Sequence, residues 1–208
     1  MTDWLAVIVA LVLVGPLWTT IGTHIDTVVH EGGHAAMSLA LGGRVEAVRV
    51  YAGNGGSGET SSWNERSAQL PVCLAGHLAP SAVGLGALLL LHHQGNPAVA
   101  LGALLVALAG LLLVSRSLFG LCFILLLAIG TYAAVRYGSV DVQTAILTAL
   151  GWTLLGGAVR SAPRIWSEGS DADGAYQATG ISPAFWALLV SAGCMAALGY
   201  AGWLTLAR

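Results

Sequence analysis

The sequence predicts an all-α polytopic membrane protein of six or seven transmembrane helices, with a short membrane-associated β-hairpin after the second apolar run. Three observations predict it. Apolar residues make up 56% of the 208 and charged residues only 9%, with a mean hydropathy of +0.79; a soluble domain carries about a quarter charged residues. Apolar stretches of span length, roughly 20 residues, recur along the chain. The polar residues are gathered into two segments, about 42–70 and about 161–182, within what reads as one membrane-embedded domain over residues 1–208. The net charge of −2 gives no footprint for nucleic acid. All eight basic residues are Arg, which carries no functional reading.

The first apolar run covers residues 4–21 and contains Pro16; the second covers 22–41. As one straight helix they would extend about 57 Å, too long for a single crossing. Two spans joined by a tight turn at 19–23 are therefore expected, with one long tilted helix as the alternative. The N-terminus lacks the basic region of a cleavable signal peptide. Residues 44–51 carry Val45, Val48 and Val50 and read as a strand; 54–58 (Asn-Gly-Gly-Ser-Gly) read as its turn, and 59–63 as the return strand. Further spans are expected at about 71–91, 97–115, 118–136, 140–160 and 183–206. Cys73, Cys122 and Cys194 follow no zinc spacing and read as small buried apolar residues.

Counting loops on alternate sides places Arg44, Arg49, Arg66, Arg116, Arg160 and Arg164 on the side of the hairpin, against Arg136 and Arg208 on the other. The positive-inside rule makes the hairpin side cytoplasmic. The segment with Glu168, Asp171 and Asp173 shares that side, as does the end of the second apolar run.

Within that run stands His30-Glu31-Gly32-Gly33-His34. Histidines four apart lie on one helical face and can bind one Zn²⁺. Glu31, beside the first, can take a proton from an attacking water and deliver it to a leaving amine. The plain alternative is two core histidines and a buried Glu. An ionisable cluster inside an apolar helix costs several kcal/mol unless paired or metal-bound, which favours the metal. His30 is eleven residues before Leu41, about 16 Å from the helix end and so within the bilayer. A catalytic zinc takes three protein ligands. The residues open for the third place are Asp171, Asp173, Asp26 and His77. Asp26, one turn before His30, better suits a supporting or capping role. His77 reads more readily as an interhelical hydrogen-bonding histidine than as a ligand.

At these residues the chain resembles the site-2 protease family of intramembrane zinc metalloproteases, in its compact bacterial-type branch without extra soluble domains. Four islands carry the resemblance: Val28-Val29-His30-Glu31-Gly32-Gly33-His34-Ala35 with Gly42-Gly43-Arg44-Val45; Ala75-Gly76-His77-Leu78-Ala79-Pro80; Ser115-Arg116-Ser117-Leu118-Phe119-Gly120; and Ser170-Asp171-Ala172 with Thr179-Gly180-Ile181 and Trp186. It departs from the family's pattern at His77, where an aromatic is expected, at Ser117, in place of Asn, and at Ser182, in place of Pro. The resemblance implies one Zn²⁺ per chain held by His30, His34 and Asp171, with Asp173 as second choice because Asp173-Gly174 matches an Asp-Gly pair of other members. It implies Glu31 as catalytic base. Asp26, His77 and Arg116 are candidates for supporting or substrate-side roles. The implied activity is zinc-dependent endoproteolysis of membrane-protein segments at a bacterial plasma membrane, opening to the cytoplasm; the hairpin is either an edge that holds unwound substrate or an ordinary interfacial loop. The alternative is a non-proteolytic protein of the same fold: a scaffold or chaperone, or a zinc hydrolase of a lipid-linked substrate. Substrate identity and oligomeric state are not encoded legibly.

Overall fold

Helices form where the apolar runs lie. The computed structural model describes residues 2–53, 57–93, 95–167 and 169–206, so residues 54–56 of the expected turn, Glu168 and Arg208 lie outside the described residues. In chain order the elements are α1 (Thr2–Val14), α2 (Thr23–Ala40), β1 (Arg44–Tyr51), β2 (Ser57–Trp63), α3 (Gln69–His92), α4 (Pro97–Val114), α5 (Leu118–Tyr137), α6 (Val140–Ser161), α7 (Asp171–Thr179) and α8 (Pro183–Leu206). Among the described residues five stretches are long and apolar enough to cross a bilayer: Arg66–His92, Pro97–Val114, Leu118–Tyr137, Val140–Trp166 and Pro183–Leu206. The bent pair Ala6–Val14 and Trp18–Ala40 makes a sixth if counted as one. The chain is an all-α integral membrane protein with one small antiparallel hairpin. The expectation of two separate spans over residues 4–41, seven in all, is corrected: it needs α1 to cross alone, yet its 13 residues extend only about 20 Å against about 30 Å of hydrocarbon.

The break in the first pair lies at residues 15–17, before the expected 19–23, and turns the chain by 83°. Pro16 has no N–H to donate, and its ring crowds the preceding turn. Residues 18–22 form a π-helical turn instead of the expected connection. The Val14 carbonyl at the end of α1 accepts a 2.8 Å hydrogen bond from Arg160 Nη1. That guanidinium also lies 5.7 Å from the Trp18 ring centre. A cation at a helix C-terminus is favourable as well as satisfying the carbonyl.

β1 and β2 pair from Arg44↔Trp63 to Tyr51↔Ser57, with an irregularity between Val45 and Ala47. Val48 and Val50 are fully buried, and Val50 packs with Val28, Leu108 and Ile124. The outer edge of β1 is closed by the α4–α5 connection. Arg116 N donates to Val48 O at 2.9 Å; Ser117 Oγ donates to Val50 O at 2.8 Å and accepts from Val50 N at 3.0 Å. A serine side chain thus serves as the ladder partner an edge strand otherwise lacks. α7 is held against α3, α6 and α8 through Ala172, Ala175, Ala158, Ile165 and Trp186. The three cysteines are free, and only Cys194 is buried. Cys73 is half-buried at a cavity wall and Cys122 lies on the exposed apolar face of α5, against the expectation that all three are buried.

Candidate metal centre and its cavity

Spacing on α2 brings the two histidines of the motif together. Their ring centres are 4.8 Å apart and their Nε2 atoms 3.1 Å apart. His34 Nδ1 lies 2.7 Å from the Val72 carbonyl on α3. A carbonyl only accepts, so Nδ1 carries a proton and Nε2 is the nitrogen left facing His30 and Asp171. This contact needs α3 close against α2. A Cβ at Gly33 would come within 2.6 Å of the Ala75 carbonyl, and one at Gly76 would sit on the His34 ring. Small residues at a helix crossing allow that approach.

Asp171, the first residue of α7, completes the cluster. Its Oδ2 lies 3.4 Å from His30 Nε2, 3.3 Å from His34 Nε2 and 2.7 Å from His77 Nδ1. Burial alone would raise the Asp171 carboxyl pKa. The three imidazoles of His30, His34 and His77 around it outweigh burial and hold the group well below the usual carboxylate range.

Two overlapping triads therefore share His30 and Asp171. In one, with His77, the ligand atoms lie within 4.8 Å of one another. In the other, with His34, the separations are 3.1, 3.3 and 3.4 Å. Tetrahedral zinc with bonds of about 2.0–2.1 Å puts neighbouring ligand atoms about 3.3 Å apart. The His30–His34–Asp171 set fits that size, and two imidazoles with one carboxylate suit the ion. The 2.7 Å separation at His77 is a hydrogen-bond length, shorter than such an edge.

These residues line a cavity of about 710 Å³ with walls from the hairpin, α2, α3 and the segment before α7. Glu31 faces it and is 5% exposed. Its Oε2 accepts a 2.7 Å hydrogen bond from Thr60 Oγ1 on β2. Asp26 is buried and lines the cavity beside Ser161 and Arg164, outside the cluster. Asp173 Oδ2 accepts from Gly169 N at 2.6 Å and so caps the turn before α7 without reaching the histidines. Arg116 is exposed and spends its Nη1 on the carbonyls of Leu113 and Ser115, both at 3.0 Å, at the end of α4. Sequence reasoning missed Thr60, Arg164 as a cavity residue and the Val72 carbonyl. For Thr60 a signal existed: Gly58, Thr60 and Ser62 alternate along β2 as small residues on one face.

The chain matches the family described as Peptidase M50B-like over residues 4–201. No curated protein and no solved structure matches it.

Proposed function

The chain belongs to the Peptidase M50B-like family, the site-2 protease group of membrane metallopeptidases, and on that premise we propose that it is an intramembrane zinc endopeptidase acting on membrane-protein segments. His30, His34 and Asp171 are the zinc ligands in this reading and Glu31 is the general base. The observation that carries it is the convergence of His30 Nε2, His34 Nε2 and Asp171 Oδ2 at 3.1–3.4 Å, facing the same cavity as Glu31.

His30, His34 and Asp171 would hold the zinc ion, which would supply Lewis-acid chemistry to the attacking water and the scissile carbonyl. The remaining work falls to the chain. Glu31 takes the proton of the attacking water and returns it to the leaving amide nitrogen. The Val72 carbonyl fixes the His34 tautomer, and His77 holds Asp171 Oδ2 by a 2.7 Å hydrogen bond. Peptide bonds in a helix are shielded and already hydrogen-bonded, so the substrate is a membrane segment unwound near the cut. With the outer edge of β1 closed by Ser117, the free edge of β2 is the place for strand addition. The hairpin and α7 bring polar walls through which water reaches the site. The Arg distribution supports an opening on the cytoplasmic face, in a membrane read as a bacterial-type plasma membrane.

The test is cleavage of a reconstituted membrane-spanning peptide by wild type and Glu31→Gln, with zinc content measured on both. The expected outcome is loss of cleavage with zinc retained. Cleavage at the wild-type rate by the variant would sink the mechanism.

A further inference from the structure

β2 lies directly across α2 at Glu31. A Cβ at Gly58 would come within 2.6 Å of Glu31 Oε1, 2.7 Å of its Cγ and 2.8 Å of Thr27 Cγ2. The strand can lie this low only because residue 58 has no side chain. Two residues on, and so on the same face of the strand, Thr60 Oγ1 reaches Glu31 Oε2 at 2.7 Å and the Glu31 carbonyl at 3.2 Å. A hydroxyl has one proton to donate, and the shorter contact, to a charged acceptor, is the stronger. Glu59, between them, turns the other way to Arg49 and Tyr51. A slip of one residue would exchange the faces and set Glu59 against Glu31. The register that prevents this is held from the far edge of the hairpin, where Ser117 brackets Val50.

We propose that Thr60 is a positioning residue for Glu31: its hydroxyl occupies Oε2, fixes the carboxylate, and leaves Oε1 beneath Gly58 as the proton acceptor. The hairpin then has a task beyond contact with substrate, because it aims the base. The inference rests on Glu31 being the base, as proposed above. A carboxylate released from this contact swings among rotamers, and misplacement of a reacting group by about 1 Å costs up to roughly 100-fold in rate.

The experiment uses the full chain in lipid vesicles with a membrane-spanning peptide. It compares wild type, Thr60→Val, Thr60→Ser and Glu31→Gln for kcat, KM, zinc per chain and Kd for a non-cleavable peptide. Thr60→Val keeps the shape and removes the hydroxyl; its kcat is expected to fall about 10- to 100-fold, with KM, Kd and zinc unchanged. Thr60→Ser is expected to restore kcat to within about threefold of wild type, since the donor is kept. Thr60→Ala, expected to match Thr60→Val, takes its place if the valine variant does not fold. Wild-type kcat in the hydroxyl-free variants, a loss carried by KM or zinc, or a serine variant as slow as the valine one would each overturn the proposal. Glu31→Gln separates the two readings. If it is inactive while Thr60→Val is unimpaired, the role of Thr60 alone is wrong; if it cleaves, the assignment of the base is wrong.

Discussion

The two sides of α2 are built differently. Toward α3 and α7, His30 and His34 meet groups on helices buried in the bundle: the Val72 carbonyl, His77 and Asp171. Toward the hairpin, Glu31 meets a single hydroxyl on a two-stranded ribbon whose other edge rests on the α4–α5 connection. The side proposed to bind metal is held by helix packing with glycines at the crossing, the side of the proposed base by strand register. Damage to the first should release metal, whereas damage to the second should stop turnover and leave metal in place.

The sharpest break of this contrast comes from His34→Ala. Losing an α2 ligand is expected to weaken zinc binding more than the roughly 10- to 100-fold typical of lost supporting contacts, and to abolish cleavage. Elemental analysis after dialysis against a chelator checks it. Gly76→Val comes next, because its side chain would occupy the place of the His34 ring. Overpacking of this kind costs about 1–3 kcal/mol, so a lower thermal unfolding midpoint in detergent and reduced zinc are expected together. Its counterpart Gly58→Val presses on Glu31 instead, and should slow cleavage while zinc stays near wild type. His77→Gln is a milder change on the ligand side, expected to weaken zinc binding about 10- to 100-fold while the fold holds; competition with a chromophoric chelator measures it. The smallest effect belongs to Ser117→Ala, which removes the bracket on Val50. A loss of about 1 kcal/mol in local stability is expected, read as faster amide exchange at Val50 with unchanged zinc.

Much of this contrast was legible along the chain, and what was not has a physical cause. The apolar runs marked the spans, and the placing of His30, Glu31 and His34 on one helix needed only the helical repeat. Loop parity put the hairpin and the Asp171 segment on one side, and the contacts of both with α2 agree. The break lies at residues 15–17, ahead of the turn expected at 19–23, because Pro16 interrupts the helix there. The 2.7 Å pairing of His77 with Asp171 spans 94 positions. No periodicity reaches that far; the pair depends on how closely α3 approaches α2, which Gly33 and Gly76 set. Asp171 and Asp173 are equivalent by composition, and only the direction in which α7 starts distinguishes them. Thr60 was hidden because a strand pattern shows which residues share a face but not what the face meets.

A zinc ion held jointly by α2 and α7, as proposed, makes zinc stoichiometry in purified protein the decisive measurement. Wild type should hold about one zinc per chain, as a three-ligand catalytic site does; Asp173→Ala should match it, and Asp171→Ala should fall well below. Zinc under about a tenth of an equivalent in wild type, or full retention in Asp171→Ala with loss in Asp173→Ala, would contradict the account.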